Sequence, residues 1–105
     1  IASGTKPFEL PGLPYDGTQI LSSNDALNLH EIPGSILIVG GGVIGCEFAF
    51  LLSSLGSRVI VVEALDRMLP LPSVDEDCSK VLQREMKKRK IKWLRKNLTL
   101  NSYID

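Results

Sequence analysis

The feature that most constrains the fold is the stretch Ile36–Gly45, in which four apolar residues run directly into a glycine-rich turn. The run Ile36–Val39 is continuous and rich in β-branched side chains, a pattern typical of a parallel strand covered on both faces. After the turn, Val43–Leu55 carries apolar residues at helical spacing and stops at Gly56, which suits the position just past a helix C-terminus. A second apolar run, Val59–Val62, then predicts another buried strand.

The second half of the chain continues this alternation. Ser73 and Glu76 are spaced as a capping box, which predicts a helix that runs to about Arg89. We expect the apolar face of this helix to consist of Val74, Cys78, Val81, Leu82 and Met86. Ile91–Leu94 predicts a third strand, and residues 97–105 predict a further short one. Strands that alternate with helices predict a mainly parallel sheet with right-handed crossovers, hence a three-layer, truncated Rossmann-type α/β domain over residues 35–105.

Residues 1–34 have a different character, because proline and glycine interrupt them repeatedly. This composition predicts a connecting segment that follows a surface. Within it, a short helix is expected after Ser22 or Ser23, either of which can act as the N-cap. The chain begins with Ile1 and not Met, from which we expect a piece of a longer protein.

The glycines form a GxGxxG pattern between the first strand and the helix. Gly40 permits the sharp turn, Gly42 lets a pyrophosphate approach the backbone, and Gly45 lets the helix pack against the strand. The helix N-terminus then offers free N–H groups and a partial positive charge to phosphates. Gly41 adds conformational freedom, but the pattern assigns it no separate role. The pattern therefore predicts dinucleotide binding, with a glycine-rich turn without a ligand as the alternative.

Glu63 ends the second predicted strand, 23 residues beyond Gly40. This spacing is close to that of the acidic residue that binds a ribose in dinucleotide-binding domains. A carboxylate there accepts hydrogen bonds from the ribose hydroxyls and repels a 2′-phosphate, which favours NAD over NADP. Arg67 argues the other way, but Ala64 occupies the position where NADP sites tend to place a base.

Glu47 lies in the first turns of the predicted helix and has two interpretations of equal weight. An acidic residue near a helix N-terminus stabilises the helix dipole. Alternatively, its side chain reaches the nicotinamide end of the ligand and pairs with a cation from elsewhere.

Charge and cysteine content exclude several other functions. Residues 80–105 hold nine basic and two acidic residues, but most of the basic ones fall at a helix C-terminus and no aromatic platform accompanies them, so we expect no nucleic-acid partner. No apolar run reaches the roughly 18 residues of a membrane helix, and we expect no membrane association. Cys46 and Cys78 form no metal-binding spacing with His30, so we expect two buried free thiols and no metal site.

Several stretches together resemble the flavin-dependent pyridine nucleotide–disulfide oxidoreductases. These stretches are "IASGTKP", "LPG", "ILSSNDALNLHEIP", "ILIVGGGVIGCEFA", "LGSRVIVVEALDRMLP" and "VDED", in the order of the family. The resemblance implies an NAD-binding domain that is inserted into an FAD-binding domain, with residues 1–34 arriving from the FAD domain. It assigns cofactor contacts to Gly40, Gly41, Gly42, Val43, Ile44, Gly45, Glu47, Glu63 and Leu98.

The resemblance also gives these residues roles. Val43 and Ile44 would lie along the nicotinamide, and Leu98 near the adenine. Glu47 would approach the nicotinamide and pair with a lysine of the FAD domain, which favours the functional interpretation of this residue.

The parent enzyme of this family would oxidise a dithiol and pass electrons through a disulfide and FAD to NAD⁺. We expect a homodimer in the cytoplasm, or in the mitochondrial matrix if the source is eukaryotic. The redox disulfide, the FAD glycine fingerprint and the His–Glu dyad of the family are absent from these 105 residues. The chain alone is therefore expected to bind NAD without turnover and to hold no catalytic residue. The alternatives are another flavin disulfide reductase, an NADH oxidase, or a nucleotide-sensing module without catalysis.

Overall fold

The computed structural model describes residues 1–95, which divide into two compact units, residues 1–31 and residues from 32 onward. The elements in chain order are α1 (Ser23–Leu27), β1 (Ser35–Val39), α2 (Val43–Ser54), β2 (Arg58–Glu63), α3 (Glu76–Lys88) and β3 (Lys92–Arg95). The strands and helices expected within residues 1–95 are therefore present. The strand expected over residues 97–105 and the adenine contact expected of Leu98 lie outside the described residues.

The first unit contains α1, which begins as the sequence predicts. The Ser22 hydroxyl accepts a hydrogen bond from the Asp25 N–H (3.2 Å), and the Asp25 carboxylate accepts one from the Ser22 N–H (3.0 Å). This reciprocal capping box satisfies two donors that a helix N-terminus leaves free.

The second unit contains a parallel sheet in the order β1-β2-β3. Val39 pairs with Val62 on one side of β2, and Glu63 pairs with Arg95 on the other. Because all three strands run the same way, their carboxyl ends meet at one edge of the sheet. The glycine turn follows β1 at that edge, and Glu63 ends β2 beside it.

The core lies on one face of this sheet. Along β2, Val59, Val61 and Glu63 are buried, while Ile60 and Val62 point the other way and are half-buried. Residues of both longer helices pack on the buried face, and the core consists of Cys46, Ala49, Leu52, Val59, Val61, Met68, Met86 and Ile91. The expectation that strands are covered on both faces is thus met on one face only within the described residues. A third layer stays a prediction.

Both longer helices end in the same hydrogen-bond pattern. At the end of α2, Gly56 has φ +104° and its N–H donates to Ser53, while the Ser57 N–H donates to Leu52. This Schellman motif confirms Gly56 as the residue past the helix end. Lys90 occupies the equivalent position after α3 with φ +60°, an uncommon conformation for a residue with a side chain.

The start and the buried face of α3 differ from the sequence prediction. The N-cap is Asp75 and not Ser73, because the preceding loop is held by the side chain of Arg67, which binds the carbonyl of Val74. The helix consequently buries Ser79.

Two of the residues expected on the apolar face of α3 are exposed. Cys78 is exposed, so the prediction of two buried thiols is wrong for this residue. Val81 is 51% exposed. Among residues 1–95, no group of three or more His, Cys, Asp or Glu could hold a metal ion. None of the described helices is long and apolar enough to cross a bilayer.

Candidate dinucleotide site at the glycine loop

Gly40 makes the turn at the carboxyl end of β1. Its φ of +112° lies in a region that residues with a Cβ rarely adopt. Its N–H still donates to the Val62 carbonyl (2.8 Å), so the turn begins directly from the sheet ladder. The structure therefore requires glycine here, as the sequence predicts.

Gly45 lies in the first turn of α2, against the end of β1. A Cβ built at Gly45 would fall well inside contact distance of the Gly40 carbonyl oxygen and 3.4 Å from the Ile38 side chain. Because the obstructing atom belongs to the backbone, it cannot rotate away. Glycine at this position lets the helix approach the strand, again as predicted.

Gly41 has a structural role that the sequence did not reveal. Its N–H donates to the Glu63 carboxylate (2.7 Å), and its carbonyl accepts from the Leu69 N–H (2.7 Å) and from the Cys46 thiol (3.4 Å). A Cβ at Gly41 would lie 2.5 Å from the terminal methyl of Met68, which is fully buried. Both polar groups of Gly41 are thus bound, and the space beside it is filled.

Gly42 differs from the other three glycines of the loop. It is the N-cap of α2, with φ −77° in the extended region that any residue adopts. Apart from Gly42 itself and the residues adjacent to it in the chain, no atom of the described residues lies within 4 Å of a Cβ built at this position. No internal constraint therefore requires glycine at Gly42, and the space beside it is open. The first N–H groups of α2, which have no partner within the helix, face the same end.

Glu63 is only 9% exposed, and both of its carboxylate oxygens hold the backbone. One oxygen accepts from Gly41, and the other accepts from the Leu65 N–H (3.0 Å). An ionised carboxylate has about four acceptor positions, so two remain for the hydroxyls of a ribose. Glu63 therefore fixes the glycine loop and still has acceptor capacity for a ligand.

The remaining expected contacts lie on the first two turns of α2. Val43 and Ile44 are 50% and 59% exposed, and Glu47 is exposed on the next turn. The stabilising effect of the helix dipole is confined to the first turn. No acidic residue lies in the first turn of α2, which disfavours the dipole interpretation of Glu47.

Cys46 lies beneath the loop and is buried. Burial is the largest influence and raises the pKa of the Cys46 thiol; the backbone of Leu69 lowers it, the nearby carboxylate of Glu63 raises it, and the net change is upward. The thiol therefore remains protonated near neutral pH and donates to Gly41. This protonated, enclosed sulfur is a structural group and a poor nucleophile.

Both terminal nitrogens of Arg67 are engaged by the loop that follows β2 and by α3. Its two terminal nitrogens donate to four acceptors, which are the carbonyls of Leu69, Leu71 and Val74 and the hydroxyl of Ser79. The sequence left open whether Arg67 binds a 2′-phosphate. These four hydrogen bonds occupy the donors that such a contact would need.

A parallel sheet whose first strand passes through a glycine turn into a helix defines a Rossmann-type α/β domain. A family model described as pyridine nucleotide-disulphide oxidoreductase matches residues 1–100. The chain belongs to this family.

Relatives of known name agree with this assignment. The dihydrolipoyl dehydrogenase of Bacillus subtilis (strain 168) is 54% identical over 86 residues, which are 82% of this chain and 18% of that protein. The dihydrolipoyl dehydrogenase of Buchnera aphidicola subsp. Acyrthosiphon pisum is 39% identical over the whole chain and 20% of that protein. In the crystal structure of LpdA from Mycobacterium tuberculosis, 32% identical, the match covers 85% of this chain and 19% of that chain with a TM-score of 0.75. The chain thus spans about a fifth of the length of these relatives.

Proposed function

We propose that the glycine loop binds the pyrophosphate of NAD and that Glu63 binds the adenosine ribose. The observation that carries the proposal is the open space at Gly42. Gly40, Gly41 and Gly45 each have a reason within the chain to be glycine, whereas Gly42 has none. A ligand that approaches the backbone at the start of α2 supplies the missing reason, since a pyrophosphate there meets free N–H groups.

The rest of the ligand would then lie along α2. Val43 and Ile44 provide exposed apolar surface for the nicotinamide half, and Glu47 stands on the next turn with its carboxylate free to approach that end. Leu98 is proposed to contact the adenine. When bound, NAD supplies the acceptor for a hydride, and the residues of this chain orient it.

Two side chains favour NAD over NADP. The Glu63 carboxylate would face the ribose 2′ position and repel a phosphate there. Arg67, the cation nearest to Glu63 in sequence, already donates to three carbonyls of its own loop and to the Ser79 hydroxyl of α3. Neutralising a 2′-phosphate would cost several of these hydrogen bonds.

For the whole protein we propose the activity of a dihydrolipoyl dehydrogenase-like flavoenzyme. Such an enzyme couples oxidation of a dithiol to a disulfide with reduction of NAD⁺ to NADH and release of one proton, and FAD would supply the redox group between them. The support is the family match and the similarity to two proteins of that name. The dithiol-reactive disulfide and the FAD site would belong to other parts of such an enzyme. For this chain by itself we propose NAD binding without turnover.

Calorimetric titration with NAD⁺ and NADP⁺ tests the proposal. NAD⁺ is expected to bind the chain and NADP⁺ to bind at least about tenfold more weakly, a difference of roughly 1.4 kcal/mol. Gly42→Ala is expected to weaken NAD⁺ binding by about tenfold or more, because its methyl group occupies ligand space at a cost on the order of 1–3 kcal/mol.

Gly34→Ala is the matched control. Gly34 also has open space around it and no positive φ, but it precedes β1 and lies away from the loop. Its replacement should leave NAD⁺ affinity unchanged. Equal NAD⁺ affinity in the wild type and Gly42→Ala, or equal affinity for NAD⁺ and NADP⁺ in the wild type, would contradict the proposal.

A further inference from the structure

The side chain of Arg67 connects the loop after β2 to the start of α3. One terminal nitrogen donates to the Leu69 carbonyl (3.1 Å) and the Ser79 hydroxyl (2.5 Å). The other donates to the carbonyls of Leu71 (3.2 Å) and Val74 (2.9 Å). All four acceptors are uncharged, and the ion pairs of the described residues lie elsewhere. The interaction therefore depends on the shape of the guanidinium fork as well as on its charge.

The two residues after Arg67 reach the glycine loop. Met68 donates its N–H to the side chain of Gln83 on α3 (3.1 Å) and places its own side chain against Gly41. The Leu69 N–H donates to the Gly41 carbonyl (2.7 Å). Arg67 thus holds one end of the Leu69 backbone, and Gly41 is bound to the other.

Leu69 is held in an unfavourable conformation by these contacts. Its φ is +50°, in the left-handed region that a branched residue seldom occupies. Such conformations persist only where the surroundings impose them. Here Arg67 (3.1 Å) and the Leu71 N–H (2.8 Å) both donate to the Leu69 carbonyl while Gly41 accepts the Leu69 N–H, so both polar groups of the residue are fixed. Arg67 also binds the carbonyl of Leu71, so loss of Arg67 would leave only the Leu69–Leu71 hydrogen bond, with neither carbonyl tied to the arginine. We then expect the backbone of Leu69 to return to negative φ and to withdraw its N–H from Gly41.

We propose that Arg67 is a positioning residue that holds the glycine loop in its ligand-binding shape by way of Leu69. The consequence for affinity rests on the proposed function, because it requires that the loop bind the dinucleotide. The guanidinium itself does not contact the ligand. Its removal should therefore act on NAD⁺ and NADP⁺ to the same degree.

Amide hydrogen exchange of the ligand-free chain tests the positioning directly. In Arg67→Met, we expect the amides of Leu69 and Gly41 to exchange about tenfold faster or more, while those of Val59 and Val61 in β2 keep their rates. If Arg67→Met only lowered the stability of the whole domain, amide exchange would instead be faster throughout the sheet. Arg84→Met, which removes an exposed arginine of α3, is the matched control. It should leave the exchange rates of all four amides unchanged.

Dinucleotide affinity distinguishes a role of Arg67 in holding the loop from a role of its charge in binding phosphate. If the competent loop falls to about a tenth of the population, the Kd for NAD⁺ rises about tenfold. Arg67→Lys should resemble Arg67→Met, since one ammonium group cannot span the four acceptors. Full rescue by lysine, or a loss confined to NADP⁺, would overturn the proposal and make Arg67 a phosphate-binding cation.

Ser79→Ala provides the second variant if Arg67→Met does not fold. It removes one of the four acceptors and should accelerate the same two amides by a smaller factor. Unchanged exchange at Leu69 and Gly41 in every folded Arg67 or Ser79 variant would overturn the positioning role. Faster exchange together with a wild-type chain that binds no NAD⁺ would support that role and refute the proposed function alone.

Discussion

Glu63 should stabilise the ligand-free protein, and not only its complex with a dinucleotide. Its carboxylate accepts hydrogen bonds from the N–H groups of Gly41 (2.7 Å) and Leu65 (3.0 Å). A hydrogen bond to a charged group contributes about 1.5–3 kcal/mol, and a buried donor left unpaired costs about 1–3 kcal/mol. Gly41 is buried, whereas Leu65 is exposed and can donate to water instead. Glu63→Ala is therefore expected to lower the free energy of unfolding by about 3 kcal/mol.

Glu63→Gln gives a graded test of the same reasoning. Glutamine keeps one acceptor oxygen but places an amide NH₂ against the second backbone donor. We expect this variant to lose about 2 kcal/mol, less than Glu63→Ala. Urea unfolding without nucleotide measures both variants, and with a slope near 1–3 kcal/mol per molar the midpoint for Glu63→Ala should fall by about 1–3 M.

Glu47→Ala is the control for the stability assay. Glu47 is exposed on α2, and its replacement should change the free energy of unfolding by no more than about 0.5 kcal/mol. If Glu63→Ala unfolds at the same urea concentration as the wild type, the Glu63 carboxylate does not hold the glycine loop. If the effect is found, weaker NAD⁺ binding in Glu63→Ala reports on loop shape as well as on lost ribose contacts.

Individual contacts determine the expected behaviour of four more groups. Gly45→Ala should lower the free energy of unfolding by about 2 kcal/mol, because overpacking against a backbone carbonyl exceeds the gain in helix propensity; an unchanged urea midpoint would contradict the close approach of α2 to β1. Lys90→Gly should raise the free energy of unfolding by about 0.5–1 kcal/mol, since glycine adopts φ +60° without strain. A lower thermal midpoint would argue against this conformation at Lys90. A thiol reagent at pH 7 should modify Cys78 in the folded protein and Cys46 only after denaturation, as counted by mass spectrometry; two rapid modifications would show that Cys46 is accessible. Hydrogen bonds from the backbone N–H groups of residues 18–20 lower the pKa of Asp16 from 3.8 to about 2. These amides should therefore be protected from hydrogen exchange above pH 4 and lose that protection as the pH falls from about 4 to 2. An NMR titration midpoint of Asp16 near 3.8 would contradict the turn.

The sequence predicted those parts of the fold that local patterns determine. The buried strands, the helix after the glycine loop and its end at Gly56 depend on apolar spacing and on the φ preference of glycine, and all are observed. The requirements for glycine at Gly40 and Gly45 could also be anticipated, because both belong to the geometry of a strand that turns into a helix.

The contacts that were missed join residues far apart in the chain. Gly41 looked redundant, since its partners Glu63 and Leu69 lie more than 20 residues away and no local pattern connects them. The true start of α3 was missed because Arg67 determines the course of the preceding loop through its side chain. The same bonds draw Ser79 inward and leave Cys78 exposed, which the apolar spacing alone could not indicate.

NAD⁺ binding at the glycine loop is tested most directly by an NMR titration of the isotope-labelled chain with NAD⁺, followed at each backbone amide. We expect the largest chemical-shift changes at Gly42, Val43 and Ile44, where the pyrophosphate would meet the start of α2, with a second group around Glu63. Saturable changes centred elsewhere, or none at millimolar NAD⁺ in a folded chain, would contradict dinucleotide binding at this glycine loop.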